Sequence, residues 1–496
     1  MKKNRILLLL LVCICSSLFS QVEIASFNNR LKTNSSYIKD IYAIVNKQDH
    51  SFTIFFADAK NVYTYNFNDL FSLKNEFIFE NKRRKYKDII GYSFLKNRDC
   101  KLYLKNEKNH FLEILFSSEY SIAKEFKPLT DYETYLQSIN LNNKFYLITG
   151  SKEVNGLYIY TFDGDKPTRH KVNLENINLL SSSGGKKELV PILMKSLPLI
   201  KLDQDTPNSI EISSKQQKMY VQDETIIFTL NNNSEFTQIV KIDLKDFAAS
   251  SFKIKSSQEK IKRHKKKSNS YLLNDKLISL TFSKEKLSFN ITDVTNRKII
   301  KEFSVLKTDT IKFRNSPITT DTNNYKKYNE LKKTEKFFNT MRNANPAISA
   351  LFSKGKYYIT IGGSLGPVLK SYGGGSFGSS STFTLPNGYS VSISNNIGTS
   401  FYHYTNSDES QFIKFSSILD ENFSHLKDEK NMNAFEKINN HLDSKKSNSP
   451  FSNLSLVPFK GDKFNPINGI FKYKDFYILI DYNQKQNNFK LLKFTN

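Results

Sequence analysis

The sequence predicts an all-β chain of repeated antiparallel meanders, and three observations carry that expectation. Short runs rich in Phe, Tyr, Ile and Val alternate with Asn, Asp, Lys and Gly turns along most of the 496 residues, with 40 Phe and 26 Tyr but no Trp. The same plan of strand, polar turn, aromatic-rich strand, spacer and strand returns at starts about 50 residues apart, which suits a four-stranded unit. The segment Val22–Phe27 offers a spare strand to a last repeat that supplies only three before Asn496, and pairing the two leaves no open edge. Together these describe a β-propeller of about seven blades, with six or eight also compatible.

The plainest copy lies in Leu141–Asp163, where strands Phe145–Thr149 and Leu157–Phe162 flank Asn155-Gly156, and Tyr135–Leu141 leads in through Asn142-Asn143. Before it come Ile38–Val45, Phe52–Phe56 and Val62–Phe67, then Ile89–Leu95, Lys101–Leu104 and Phe111–Phe116. After it come Lys218–Val221, Thr225–Leu230 and Phe236–Ile242, then Tyr271–Leu273, Leu277–Phe282 and Leu287–Ile291. A sixth copy begins Ile348–Phe352 and Tyr357–Ile361, and the last is Gly469–Phe471, Phe476–Asp481 and Phe489–Phe494. Two segments read as connecting helices. Tyr325–Arg342 spaces Tyr328, Leu331, Phe338 and Met341 helically before Pro346, and Lys427–Leu442 sets Met432, Phe435, Ile438 and Leu442 on one face. The stretch Gly355–Gly388 holds half of the 18 glycines among serines and threonines and reads as an insertion in the sixth copy, within residues 355–410.

Lys2, Lys3 and Arg5 precede an apolar run of about 14 residues, and small residues follow at Ser16, Ser17 and Ser20, the pattern of a cleavable export signal. Cleavage is expected after Ser20, with Ser17 the alternative. Cys13 follows Val12 and Cys15 follows Ile14, which does not suit a lipid-anchored cysteine. The expected product, residues 21–496, is a single exported, soluble domain, periplasmic or extracellular, closed by residues 22–27 against 469–494. It keeps Cys100 alone, without an internal disulfide or a thiolate zinc site. A net charge of +25 favours acidic partners, although a lysine- and asparagine-biased composition with solvated loops accounts for it as well.

Candidate chemistry is sparse. Gly362-Gly363-Ser364-Leu365-Gly366 matches the G-x-S-x-G spacing of a hydrolase nucleophile, Ser364, with His403, His425, His441, Asp408 and Asp420 downstream. The context is a β repeat, and Pro367–Tyr372 is too short for the helix that such a turn requires. Tyr357–Gly363, YYITIGG, resembles the kelch-type propeller signature, an aromatic strand ending in Gly-Gly, and FYLITGS at 145–151 retains one of those glycines. The resemblance implies a binding scaffold more often than an enzyme. Gly373-x-Gly375-x-x-Gly378 lacks the strand and helix of a dinucleotide site, and Asp163-Gly164-Asp165 reads as a turn rather than a metal site. Neither a metal nor a cofactor is expected.

The densest charge is KIKRHKKK at 260–267, with Lys260, Lys262, Arg263, Lys265, Lys266 and Lys267 as candidate contacts to anionic groups on an otherwise solvated loop. The sequence thus points to a propeller that binds a macromolecule, either a protein or an anionic polysaccharide or other envelope component, with nucleic acid not expected. Two alternatives stand beside it: a hydrolase or lyase acting on polysaccharide or peptide, and a basic structural protein of the envelope.

Overall fold

The computed structural model describes residues 22–31, 40–80, 82, 84–86, 88–95, 99–106, 108–117, 120–163, 166–195, 199–256, 266–321, 328–365, 381–384, 390–393, 401, 412–427, 429, 432–447, 467–483 and 485–496. The expected export signal lies outside them, as does most of the glycine-rich stretch. By contacts the chain divides into two compact units, residues 1–82, 382–393 and 432–496 in one and residues 83–381 and 394–431 in the other. Among the described residues, no helix is long and apolar enough to cross a membrane.

In the second unit, four antiparallel meanders follow one another in chain order. One is Asp88–Phe94, Cys100–Lys105, Phe111–Phe116 and Ser121–Phe126; the next is Thr134–Leu141, Lys144–Ser151, Gly156–Thr161 and Thr168–Lys171. Then come Gln217–Gln222, Thr225–Leu230, Phe236–Asp243 and Ala249–Lys255, with Ile200–Lys201 added in parallel to the first strand. Lys266–Leu273, Lys276–Ser283, Lys286–Asp293 and Ile299–Leu306 complete the series. Counting Asp40–Val45, Phe52–Ala57, Val62–Phe67 and Leu73–Phe79 of the other unit as the first sheet, these are the second to fifth.

The sixth sheet departs from the plan. Asn345–Ser353, Lys356–Ser364 and Phe412–Leu419 pair in order, but the next strand, Ile318–Asp321, comes from earlier in the chain and carries Tyr328–Leu331 on its far side. The expected helix over Tyr325–Arg342 is accordingly corrected. Its first apolar residues pair as strand, and among its described residues only Thr334–Met341 is helical, burying Phe338 and Met341.

Within this unit, side chains that alternate across a strand tie consecutive sheets to one another. On the third strand of the third sheet, Tyr158 and Tyr160 join Tyr103 and Phe111 of the second, while Leu157 and Ile159 face a core shared with Phe228 and Val240 of the fourth. On the fourth sheet, Ile226, Phe228 and Leu230 belong to that core, whereas Ile227 enters the next one, with Tyr271, Leu280 and Ile291 of the fifth sheet and Ile348 and Ile361 of the sixth. Burial on both faces explains why the inner strands are nearly continuous hydrophobic runs. This packing of consecutive four-stranded meanders makes the chain an all-β fold of the β-propeller class.

The first unit holds the first and seventh sheets. Ile467–Tyr473, Phe476–Asn483 and Asn488–Thr495 are joined at one edge by Val22–Asn28, which runs antiparallel to the last strand from Val22↔Lys493 to Asn28↔Asn488, and at the other by Ser390–Ile393, parallel to Ile467–Tyr473, and then Ser381–Thr384. Phe27 is buried there, 5.3 Å from the Phe489 ring and 4.7 Å from Tyr65 of the first sheet. The second expected helix starts later than its periodicity suggested. It spans Ala434–Ser447, because Asn433 and Glu436 form a reciprocal cap, Glu436 N donating to Asn433 Oδ1 at 3.0 Å and Asn433 N to Glu436 Oε2 at 3.2 Å. Phe435, Ile438 and Leu442 are buried as expected, while Met432 precedes the cap and is exposed.

Candidate functional site

Buried polar side chains of the second unit are largely consumed by one another. Glu133, just before the third sheet, accepts from Arg169 Nε at 2.9 Å and Thr130 Oγ1 at 3.0 Å on one oxygen, and from Thr149 Oγ1 at 2.7 Å and Tyr160 OH at 2.9 Å on the other. Arg169 also lies 3.6 Å from the Tyr158 ring centroid. Burial, reinforced by Glu133, pushes the Tyr160 phenol well above its ordinary range. Lys218 of the fourth sheet donates to Asn269 Oδ1 at 2.6 Å and Ser270 O at 2.9 Å of the fifth, and Asn269 in turn donates to Pro346 O of the sixth at 2.7 Å. Burial pushes the Lys218 amine down to about 7.

A groove between the fourth and fifth sheets is different. Its volume is about 180 Å³. The fourth sheet contributes Gln222, Asp223 and Thr225 from its first hairpin, Lys241 from its third strand, and the apolar Ile227 and Ile239. From the fifth come Leu272, Asn274 and Asp275 at its own first hairpin, with Val294 and Thr295 after its third strand. Both hairpins are tight, with positive φ at Asp223 (51°) and Asn274 (53°), a conformation that Asn and Asp tolerate well. In each sheet the residue following the third strand's aspartate fastens the hairpin: Leu244 N donates to Glu224 O and Val294 N to Asp275 O, both at 2.9 Å. Lys276 adds a bridge between Asp275 at 2.5 Å and Asp293 at 3.0 Å.

The groove therefore has a fixed frame, yet apart from Asp275 its polar side chains are unspent. Among the described residues, the side chains of Gln222, Asp223, Thr225, Lys241 and Asn274 have no hydrogen-bond or ion-pair partner. Lys241 Nζ lies 5.7 Å from the Phe252 ring centroid, and the Arg297 guanidinium from the fifth sheet lies 4.9 Å from the same ring. Of these three residues Lys241 lines the groove, where it adds a cation to the acidic and amide groups.

The residues singled out by motif lie elsewhere. Ser364 ends the strand Lys356–Ser364, paired to Asn345 on one side and Phe412 on the other, and its buried hydroxyl has no hydrogen-bond partner. An exposed nucleophile on a sharp turn is not what this strand presents. The glycine doublet before it has a packing role, since a Cβ on Gly362 would sit 1.9 Å from Ile413 O and one on Gly363 2.8 Å from Ala344 Cβ. His425 shares a 2.9 Å hydrogen bond with Asn315 Oδ1, and Asp420 accepts from Asn422 N and Ser424 N. His441 sits on the helix of the first unit, 5.9 Å from the Phe494 ring. His403 and Asp408 lie outside the described residues.

Lys260, Lys262, Arg263 and Lys265 also lie outside the described residues. The end of that basic run is strand rather than loop. Lys266 is buried, 3.5 Å from Glu235, and Lys267 donates to Arg342 O at 2.8 Å and Ala344 O at 2.9 Å. Asp163 pairs with Lys144 at 3.3 Å. Among the described residues, no group of three or more His, Cys, Asp or Glu side chains is placed to hold a metal.

By sequence, no protein family and no curated protein matches the chain. By structure, it is similar to the Dos1 propeller, with a TM-score of 0.32 and 10% identity over 97% of this chain and 88% of that one. The β-propeller domain of Nup133 from Vanderwaltozyma polyspora gives 0.32 and 10% over 91% and 92%. An ACO/RPE65 chimera gives 0.28 and 7% over 54% of this chain, which spans 61% of the chimera's length. At such scores the fold assignment rests on strand pairing and the shared cores, and the function on the site.

The groove left no motif in the sequence. Its residues belong to ordinary hairpin turns about 50 positions apart, one repeat length, and only the packing of two sheets brings them together. A signal was nonetheless present in the recurring acidic or amide pair at the first hairpin: Asn142-Asn143, Asp223-Glu224 and Asn274-Asp275.

Proposed function

We propose that the protein is an exported binding scaffold and that the groove between the fourth and fifth sheets is where it engages a macromolecular ligand. One observation carries the reading. Buried polar groups such as Glu133, Lys218 and Asn269 are spent on internal hydrogen bonds, whereas five polar side chains gathered in this one groove, beside hairpins fastened by backbone bonds, have no partner among the described residues. A concave site lined by apolar residues with a few preorganised polar groups is a binding arrangement. Recognition on a rigid β scaffold then requires little conformational change on association.

Filling the groove tests this. Thr295→Trp places a large side chain at a lining position after the fifth sheet's third strand. With glycan and peptide arrays probed by the whole secreted chain, the reading expects hits that Thr295→Trp abolishes and Ser364→Ala leaves unchanged. Hits indifferent to Thr295→Trp would place recognition elsewhere.

A further inference from the structure

We infer that the groove takes one uronic acid unit of an acidic polysaccharide. This rests on the binding-scaffold reading and adds the chemistry of the ligand. A sugar ring presents hydroxyls that each donate and accept, and the groove answers with one free carboxylate (Asp223), two amides (Gln222, Asn274) and two hydroxyls (Thr225, Thr295). Ile227, Ile239 and Leu272 form a buried apolar floor beneath the groove, so the ring is held through the polar side chains above it. Lys241, without an ion-pair partner among the described residues, provides the cation for a ring carboxylate.

Size and charge narrow the choice further. At about 180 Å³ the space is below the ~300–1,000 Å³ of sites that enclose drug-sized ligands, so it suits one ring rather than a longer segment. An acidic peptide side chain would satisfy Lys241 but leave Asp223 and both amides without matching hydroxyls. The net charge of +25 favours the approach of a polyanion over a neutral glycan.

The test uses the whole secreted chain and calorimetric titration with tetramers of galacturonate, glucuronate and mannuronate, beside maltotetraose and tetraglutamate. Wild type is expected to bind at least one uronate tetramer saturably. Lys241→Met should weaken that binding by about tenfold or more, as expected for loss of a charge-assisted hydrogen bond. Asp223→Asn and Thr295→Trp should weaken it too, while Lys301→Met, a lysine on the exposed fourth strand of the fifth sheet, should not. Thermal melts matching wild type separate these losses from misfolding, and Asp223→Asn changes no shape. Tetraglutamate bound with sensitivity to Thr295→Trp, and no uronate bound, would overturn the uronide assignment and leave the scaffold reading standing. Uronate binding that Thr295→Trp does not affect, or that Lys301→Met weakens as much as Lys241→Met, would overturn both. Equal affinity for maltotetraose would overturn the role of Lys241.

Discussion

Lys218 is fully buried without a carboxylate among its hydrogen-bond acceptors, so its folded form prefers the neutral amine. With its amine held down to about 7 against an ordinary 10.5, the unfolded chain binds a proton that the folded chain releases between those values. The contribution of Lys218 to stability therefore rises with pH across that window and is least favourable below about 7. Lys218→Met should flatten the dependence. Denaturant midpoints of wild type and variant, compared at pH 6.5 and 9, should differ in the variant's favour most at the lower pH; an unchanged difference would show that the amine titrates normally. Gly362→Ala should cost about 1–3 kcal/mol in the same assay, because its new methyl group meets the Ile413 carbonyl. Ser364→Ala should be neutral or slightly stabilising, since it removes a buried hydroxyl without a partner. A nucleophile would instead show loss of esterase turnover. Cys100, buried and with its thiol pushed well up by burial, should resist a thiol reagent until the chain is unfolded.

At the scale of the element, the first three strands of most sheets were legible because burial on both faces makes them long apolar runs. Val62–Phe67, Phe111–Phe116 and Thr225–Leu230 have the bounds that composition suggested. The fourth strands were not. Ser121–Phe126 (SIAKEF), Thr168–Lys171 (TRHK) and Ala249–Lys255 (ASSFKIK) are largely solvent-facing, so their residues read as spacer, and only pairing to the third strand makes them β. The strand Ile318–Asp321 escaped for another reason: it reaches the sixth sheet out of chain order, which local patterning does not encode. The spare N-terminal strand was readable as an unmatched apolar segment. Its removal should be costly. Phe27→Ala should lose about 3–5 kcal/mol, and deletion of residues 22–28 should expose the last strand's edge and yield aggregates by size-exclusion chromatography.

For the molecule as a whole, repetition supplies stiffness, and difference supplies function. The fourth and fifth sheets share the same hairpins and the same backbone fastening, but side chains at their facing turns build a bipolar groove, with Asp223 among the acidic groups and Lys241 the cation. Positive charge spread over the rest of the chain is expected to act on encounter more than on residence. Raising salt should therefore slow association with a uronate polymer while changing dissociation of a single tetramer little, which stopped-flow and surface-based kinetics would separate. The claim that recognition is centred on this groove is tested most directly by hydrogen–deuterium exchange of the whole chain with and without the bound tetramer. The account predicts protection confined to residues 222–225, 239–241, 272–275 and 294–297; protection concentrated elsewhere, or none at saturating tetramer, would contradict it.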